Sequence, residues 1–410
     1  MHIKKLFGLF LILPLLLTGC GGGSAPEEKR EMHDYSIYDK GVNFLDEYWQ
    51  APEFRYDSSE DVSNSQALWI RNDYNGEESY NFAFLAKPSV KKDKYPGVVL
   101  VHGGGGTAYY EWAEEWARRG YIALAIDLEG HVPNKDANIT TNPLYESLYH
   151  ASPYKAPTNV NLGDYKLPEN ETWLHYACRS VIIGNSFLHH LEEIDIYNIG
   201  VCGVSWGGYI TSIVTGYDDR FAFAISIYCT KEMKEAGTPM SEYLKNAKGA
   251  FDKFDNFEAL SLVNTPFNII VGDDDVWGDV NAFTSMVSVM KNATMTVKHR
   301  FDHSHLDALY AQEPYKFADT ILNKKTMPVF VRDGNEVVIG NMPDNVSDSF
   351  LLITNGTDIK KLKTFDRERR KLTNNKITLD VGEDVTYFVV CIEDSNGCVF
   401  TSALFQNNAI

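Results

Sequence analysis

Basic side chains are scarce in this sequence. Its 410 residues carry 38 Lys and Arg against 56 Asp and Glu, a formal net charge of −18. Nucleic acid is bound by basic faces, so this balance argues against it as a partner. Long apolar runs are confined to the first twenty residues, and no later stretch reads as a membrane helix. Cysteine is sparse, six in all, and no spacing matches a metal motif. Neither a metal nor a cofactor is expected, and neither an internal repeat nor a low-complexity tract is present. What remains is globular in composition, 44% apolar and 13% aromatic, with enough chain for two or three domains.

The N-terminus reads as a targeting segment. Lys4 and Lys5 precede the apolar run Leu6 to Leu17, and the segment ends Leu17-Thr18-Gly19-Cys20. That ending resembles the lipobox of bacterial lipoproteins. The resemblance implies removal of residues 1–19, diacylation of Cys20 as a lipid anchor, and residence in the cell envelope, on the periplasmic or surface face of the outer membrane. Residues 20–46 are polar and Gly-rich at their start, the texture of a tether. Cys202 and Cys229 sit in apolar strand runs and read as buried thiols. Cys391 and Cys398 flank a hairpin-like Ile-Glu-Asp-Ser-Asn-Gly and could face each other across it.

The organising stretch is Ile199-Gly-Val-Cys-Gly-Val-Ser205-Trp-Gly-Gly208. A short apolar run predicts a buried strand, and Tyr209 to Gly216 predicts a helix. Between them lies G-x-S-x-G, with Ser205 flanked by Gly203 and Gly207. A serine on so sharp a strand-to-helix turn has its hydroxyl held out over the sheet edge. The same turn aims the first helical amides, Trp206 foremost, at one point in space. Elsewhere, Val98 to Val101, Tyr121 to Ile126, Ala222 to Tyr228, Pro266 to Val271 and Thr294 to Phe301 predict strands. Helices are predicted over Tyr109 to Arg119, Trp173 to Glu193, Val280 to Lys291 and Tyr315 to Lys324. Alternation of strand and helix predicts an α/β fold with a mostly parallel sheet over residues 47–325. Glu129 to Glu171 interrupts it, a long segment rich in Pro, Asn, Tyr and His that reads as functional. Short strands with Gly/Asn/Asp turns from residue 326 to 410 predict a small β-sandwich domain.

Ser205, Asp275 and His303 each follow a predicted strand, which gathers them at one edge of the sheet. Residues from about Glu53 to Lys325 resemble the α/β hydrolases, nearest the dienelactone hydrolase and acetylxylan esterase branch. The resemblance rests on His102-Gly-Gly-Gly-Gly106, Gly203-Val-Ser-Trp-Gly-Gly208, Gly272-Asp-Asp-Asp275 and His303-Ser-His305. It implies an α/β-hydrolase fold with helices on both faces of the sheet, and a Ser205, His303, Asp275 triad. It also implies an oxyanion hole from the amides of Trp206 and Gly104 or Gly105. Asp273 and Asp274 compete with Asp275, and His305 competes with His303. His299 and His102 read as structural. His131, Tyr145, Tyr149, Tyr154 and Trp277 are candidates to line the pocket.

The activity these readings imply is serine-dependent cleavage of short-chain esters, acetyl groups on polysaccharides above all. The partners expected are therefore a small ester or acetylated glycan, and a membrane through the lipid on Cys20. A serine peptidase of the prolyl oligopeptidase type shares the elbow, but the N-terminal region has no room for the propeller such enzymes carry. A non-catalytic glycan-binding lipoprotein is the other alternative, and an intact triad weighs against it.

Overall fold

Short runs rich in Val, Ile, Leu and aromatic residues build the central sheet, because a strand buried on both faces can be apolar at every position. The computed structural model describes residues 41–140, 148–159, 161–229, 233–254, 260, 263–359, 362 and 365–407. Four strands come first: β1 (Phe54–Tyr56), β2 (Ser65–Arg71), β3 (Tyr80–Ala86) and β4 (Tyr95–Val101). Helix α1 (Tyr110–Arg118) and β5 (Ile122–Ile126) follow, then the hairpin of β6 (His131–Pro133) and β7 (Tyr149–Ala151). Next come α2 (Trp173–His189), β8 (Ile194–Val204), α3 (Trp206–Val214), β9 (Phe223–Ile227) and α4 (Pro239–Asn246). The set closes with β10 (Phe267–Gly272), α5 (Val280–Val289), β11 (Ala293–Lys298), α6 (His305–Tyr310) and α7 (Glu313–Leu322).

The nine-stranded sheet has the order β1-β2-β3-β5-β4-β8-β9-β10-β11. From β5 to β11 every neighbouring pair is parallel, while β3 runs antiparallel to both β2 and β5. Helices α2 and α3 pack on each other over the central strands. Elsewhere α1 and α7 meet through Trp116 and Tyr315, whose rings lie 4.7 Å apart. This is the α/β-hydrolase fold. No helix of the described residues is long and apolar enough to cross a membrane. Cys20 lies outside the described residues, as does Tyr145.

Several boundaries differ from those the sequence predicts. The helix after Thr172 ends at His189, and β8 begins at Ile194 rather than Ile199. Strand β11 stops at Lys298, because Arg300 has a positive φ of 54° and its amide turns to the buried Asp273 carboxylate at 2.9 Å. The long insert after Glu129 contains the β6–β7 pair, closed by His131 opposite Ala151.

Beyond Thr326 two antiparallel sheets face each other as a small sandwich. One contains β12 (Val329–Asp333), β13 (Glu336–Gly340), β16 (Leu372–Thr373) and β17 (Lys376–Thr378). The other contains β14 (Val346–Thr354), β15 (Asp366–Arg369), β18 (Tyr387–Asp394), β19 (Val399–Thr401) and β20 (Phe405–Gln406). Alternate residues of β14 and β18 point opposite ways. Leu351, Phe388, Val390 and Ile392 fill the space between the two sheets with Val337 and Ile377. Phe350, Leu352, Val389 and Cys391 join the apolar core of the hydrolase sheet. Cys391 and Cys398 therefore do not face each other. The β18–β19 register pairs Cys391 with Thr401, the two thiols lie in different apolar clusters, and both are free.

The outer edge of β11 is covered by side chains. The Val297 amide donates to Thr401 Oγ1 at 3.1 Å, and the same hydroxyl donates to the Met295 carbonyl at 3.0 Å. The buried Glu313 carboxylate takes the Val399 amide at 3.1 Å and Lys298 Nζ at 2.5 Å. Removing the bridging hydroxyl with Thr401→Val strands a donor and an acceptor on β11. The expected loss of stability is about 1–3 kcal/mol, read by chemical denaturation.

Candidate active site

The turn after β8 is held by close contacts that admit no side chain. A Cβ on Gly203 would lie 2.1 Å from the Gly207 carbonyl oxygen, and one on Gly207 would lie 2.0 Å from that of Val101. Ser205 is forced to φ 56°, ψ −121°, a conformation non-glycine residues rarely take. Its amide donates to the Ile227 carbonyl at 2.9 Å, which fixes the turn to β9.

Three of the sequence-predicted residues meet there. Ser205 Oγ lies 2.8 Å from His303 Nε2. His303 Nδ1 lies 2.9 Å from both carboxylate oxygens of Asp275. Asp275 Oδ1 also accepts the Trp277 amide at 2.8 Å, which orients the carboxylate. The His303 ring stacks on Tyr228 at 4.5 Å, and the Tyr228 hydroxyl donates to the Ser304 carbonyl at 3.2 Å. Asp273 and Asp274 are not placed this way. Asp273 is buried under His299, 2.7 Å from its Nδ1, and Asp274 is exposed. His305 does not reach Ser205 Oγ by any hydrogen bond in the described residues; it accepts the Gly103 amide instead. His102 shapes its loop. Its Nδ1 donates to the Gly103 carbonyl at 2.7 Å, and its Nε2 accepts the Leu128 amide at 2.9 Å.

The glycine run faces the elbow. A Cβ on Gly104 would meet Trp206 Cδ1 at 2.6 Å and Asn159 Nδ2 at 2.8 Å, so only glycine fits. Among the four amides from Gly103 to Gly106, three have acceptors: His305 Nε2, Glu129 Oε1 at 3.0 Å, and the Gly103 carbonyl at 3.1 Å. The Gly104 amide has none among the described residues. Its peptide carbonyl, that of Gly103, is tied down by His102 and the Gly106 amide. In a trans peptide the N–H points opposite to that carbonyl, so the Gly104 N–H is turned away from the groups that hold it. Backbone N–H groups at a helix start beside a nucleophile, as that of Trp206 is, can hold a developing oxyanion.

A cavity of about 640 Å³ opens over Ser205. Of the expected lining residues, His131, Tyr149 and Trp277 are there, and the His131 and Tyr149 rings stack at 3.7 Å. Tyr154 is not; it packs on Trp69 and Tyr80 and bonds Arg55. Sequence reasoning missed Glu129, Asn159 and Met240, which also line the cavity. Glu129 had a findable signal, a carboxylate three residues after a buried strand end. Asn159 and Met240 had none, since long-range folding alone brings them in.

Burial pushes the Glu129 carboxyl up to about 7, against the opposing pull of His102 and the amides it accepts. Burial likewise lowers the pKa of His131.

No family model matches this chain, and no curated protein does. Solved structures are similar at a distance. An acetyl xylan esterase from Paenibacillus sp. R4 is 15% identical over 70% of this chain and 99% of that one, with a TM-score of 0.47. Acetyl xylan esterase 1 from Thermoanaerobacterium sp. JW/SL YS485 is 14% identical over 71% and 99%, at 0.46. The Pyrococcus horikoshii acylaminoacyl peptidase is 16% identical over 66% of this chain and 44% of that one, at 0.45. Likenesses this distant assign no activity to the chain, and the fold stands on its strand order.

The Glu129 environment gives a test. Its folded-state pKa is raised, so the stability that comes from burying the neutral acid is present at low pH and lost as pH rises through about 7. Glu129→Gln keeps an acceptor for the Gly105 amide and removes the titration. The variant is expected to melt above the wild type at pH 8, with the gap closing toward pH 5 in calorimetric scans.

Proposed function

We propose that this chain is a serine hydrolase of short-chain carboxylic esters, acting through Ser205, His303 and Asp275 and a covalent acyl-enzyme. The observation that carries the reading is the unbroken chain of contacts from Ser205 Oγ through the imidazole to Asp275. His303 Nε2 takes the hydroxyl proton as Oγ attacks the ester carbonyl, and returns it to the leaving alkoxide. Asp275 keeps the other proton on Nδ1 and stabilises the imidazolium. The amides of Gly104 and Trp206 receive the oxyanion, a contribution of about 3 kcal/mol per donor in other enzymes. Water then repeats the sequence on the acyl-enzyme.

The polar side of the cavity supports a hydroxylated alcohol as leaving group. Glu129, His131, Thr158 and Asn159 offer hydrogen bonds, and Tyr149 and Trp277 offer flat apolar faces of the kind that stack on sugars. We read the substrate as an acetyl ester on a polysaccharide, and the enzyme as held in the cell envelope by lipid on Cys20. An ester also needs less assistance than an amide, whose nitrogen must be protonated before it leaves.

A panel of p-nitrophenyl acetate, butyrate and octanoate, an acetylated xylan and a proline-containing peptide amide tests the substrate. Acetate is expected to be cleaved faster than octanoate, and the xylan to be deacetylated. Preference for octanoate, or for the peptide, would sink the reading. A fluorophosphonate is expected to label the wild type and neither Ser205→Ala nor His303→Ala. The anchor is tested separately. Cys20→Ala is expected to leave the protein in the soluble fraction after ultracentrifugation, and sedimentation with membranes would place the anchor elsewhere.

A further inference from the structure

The second histidine of His303-Ser-His305 takes no part in proton transfer as derived above, yet it is buried and makes a specific hydrogen bond. His305 opens α6, its ring rests on Tyr109 at 4.9 Å, and its Nε2 accepts the Gly103 amide at 2.8 Å. We propose that His305 is a positioning residue that sets the oxyanion hole. By taking the Gly103 N–H, it fixes the loop so that the next amide, Gly104, faces the cavity.

The argument is one of peptide geometry. Residue 103 is flanked by two peptide planes, and both are pinned. The plane before it is held by Gly103 N–H to His305, and the plane after it by the Gly103 carbonyl, which accepts from His102 and from Gly106. The bonds on the second plane come from within the loop itself, from residues 102 and 106, whereas the His305 bond ties the loop to α6. Without His305 the loop, and the Gly104 N–H with it, keeps only its ties to the segment after β5, at Leu128, Glu129 and His131. Gly103 is a glycine, so its backbone has many conformations to occupy. A loose loop would then have to be ordered at the moment charge develops, which is the cost that a preorganised site avoids.

The protonation state fits this role. An imidazolium would place an N–H against the Gly103 N–H, donor against donor. Burial pushes His305 down to about 3, with His102 and His303 adding to the effect, so the acceptor form persists across the neutral range. The same ring has no room to approach the nucleophile directly. A Cβ on Gly103 would lie 2.8 Å from Ser205 Cβ and 3.1 Å from His305 Cε1, so the glycine backbone stands between the two side chains.

This assignment rests on the serine hydrolase reading, and it is tested on whichever ester the wild type cleaves. His305→Leu removes the acceptor and keeps the bulk. It is expected to lower kcat about 10²-fold with KM nearly unchanged, the size seen when one oxyanion donor is lost. Affinity for a trifluoromethyl ketone, which forms the oxyanion adduct, should fall by the same factor. The pH profile of kcat/KM, which reports the base, should keep its midpoint. His305→Gln places an amide oxygen near the Nε2 position and is expected to restore most of kcat and of ketone affinity. Should the leucine variant fail to fold, His305→Met takes its place and the comparison with glutamine is read the same way. An apolar variant with undiminished kcat, a glutamine variant as slow as the apolar one, or a shifted pH midpoint would overturn the assignment. A wild type that neither reacts with fluorophosphonate nor cleaves any ester would instead refute the hydrolase reading beneath it.

Discussion

The turn from β8 into α3 passes so close to the end of β4 that the backbone itself is in contact, and much of the molecule follows from that crowding. Gly207 sits against the Val101 carbonyl and Gly203 against Gly207, with no space for a methyl group at either. Ser205 between them takes a strained conformation. Such strain persists only where surrounding structure over-determines it. Here the surroundings are the central strand β4, the second half of β8 from Ile199 to Val204, and the helix α3, almost wholly buried. The rigidity that holds the hydroxyl outward is that of the fold's centre, so the reactive group needs no support from a flexible segment.

Three histidines cluster just beyond the end of β11, and their partners separate their roles. His299 is paired with Asp273, an arrangement that turns the chain out of the strand. His303 is partly buried, between a carboxylate and a hydroxyl. His305 is sealed under Tyr109 against a backbone amide. The same side chain thus serves as a structural strut, a proton carrier and a hydrogen-bond acceptor within seven residues. Burial and the nature of the nearest polar atom decide which, because they set what each ring nitrogen can bond.

The C-terminal sheets do not hang from the hydrolase fold by a linker alone. Strands β14 and β18 turn one row of side chains inward to their own sandwich and the other into the hydrolase core. Thr401 takes and gives backbone hydrogen bonds on β11, the strand that leads to His303, and Glu313 bridges Lys298 of β11 to the Val399 amide. An edge strand with unpaired backbone groups is a liability, and here side chains cover it. The β-sheets therefore meet the site only through β11, since none of their described residues lines the cavity.

The local features were legible in the sequence because local chemistry imposes them. Apolar runs of strand length, the helix after Ser205, and glycines on both sides of that serine each follow from sterics within a few residues. The order of Ser205, Asp275 and His303 along alternating strands and helices was enough to bring them to one sheet edge. What the sequence left open were choices among near neighbours, Asp273 against Asp275 and His303 against His305, and the pairing of Cys391 with Cys398. Those depend on strand ends and register. A positive φ at Arg300 ends β11 early, and the β18–β19 register puts the two thiols in different apolar clusters. Glu129 and Asn159 reach the cavity through an insert whose path no periodicity encodes. Tertiary structure decided these because side chains far apart in the chain compete for the same space and the same few hydrogen-bond partners.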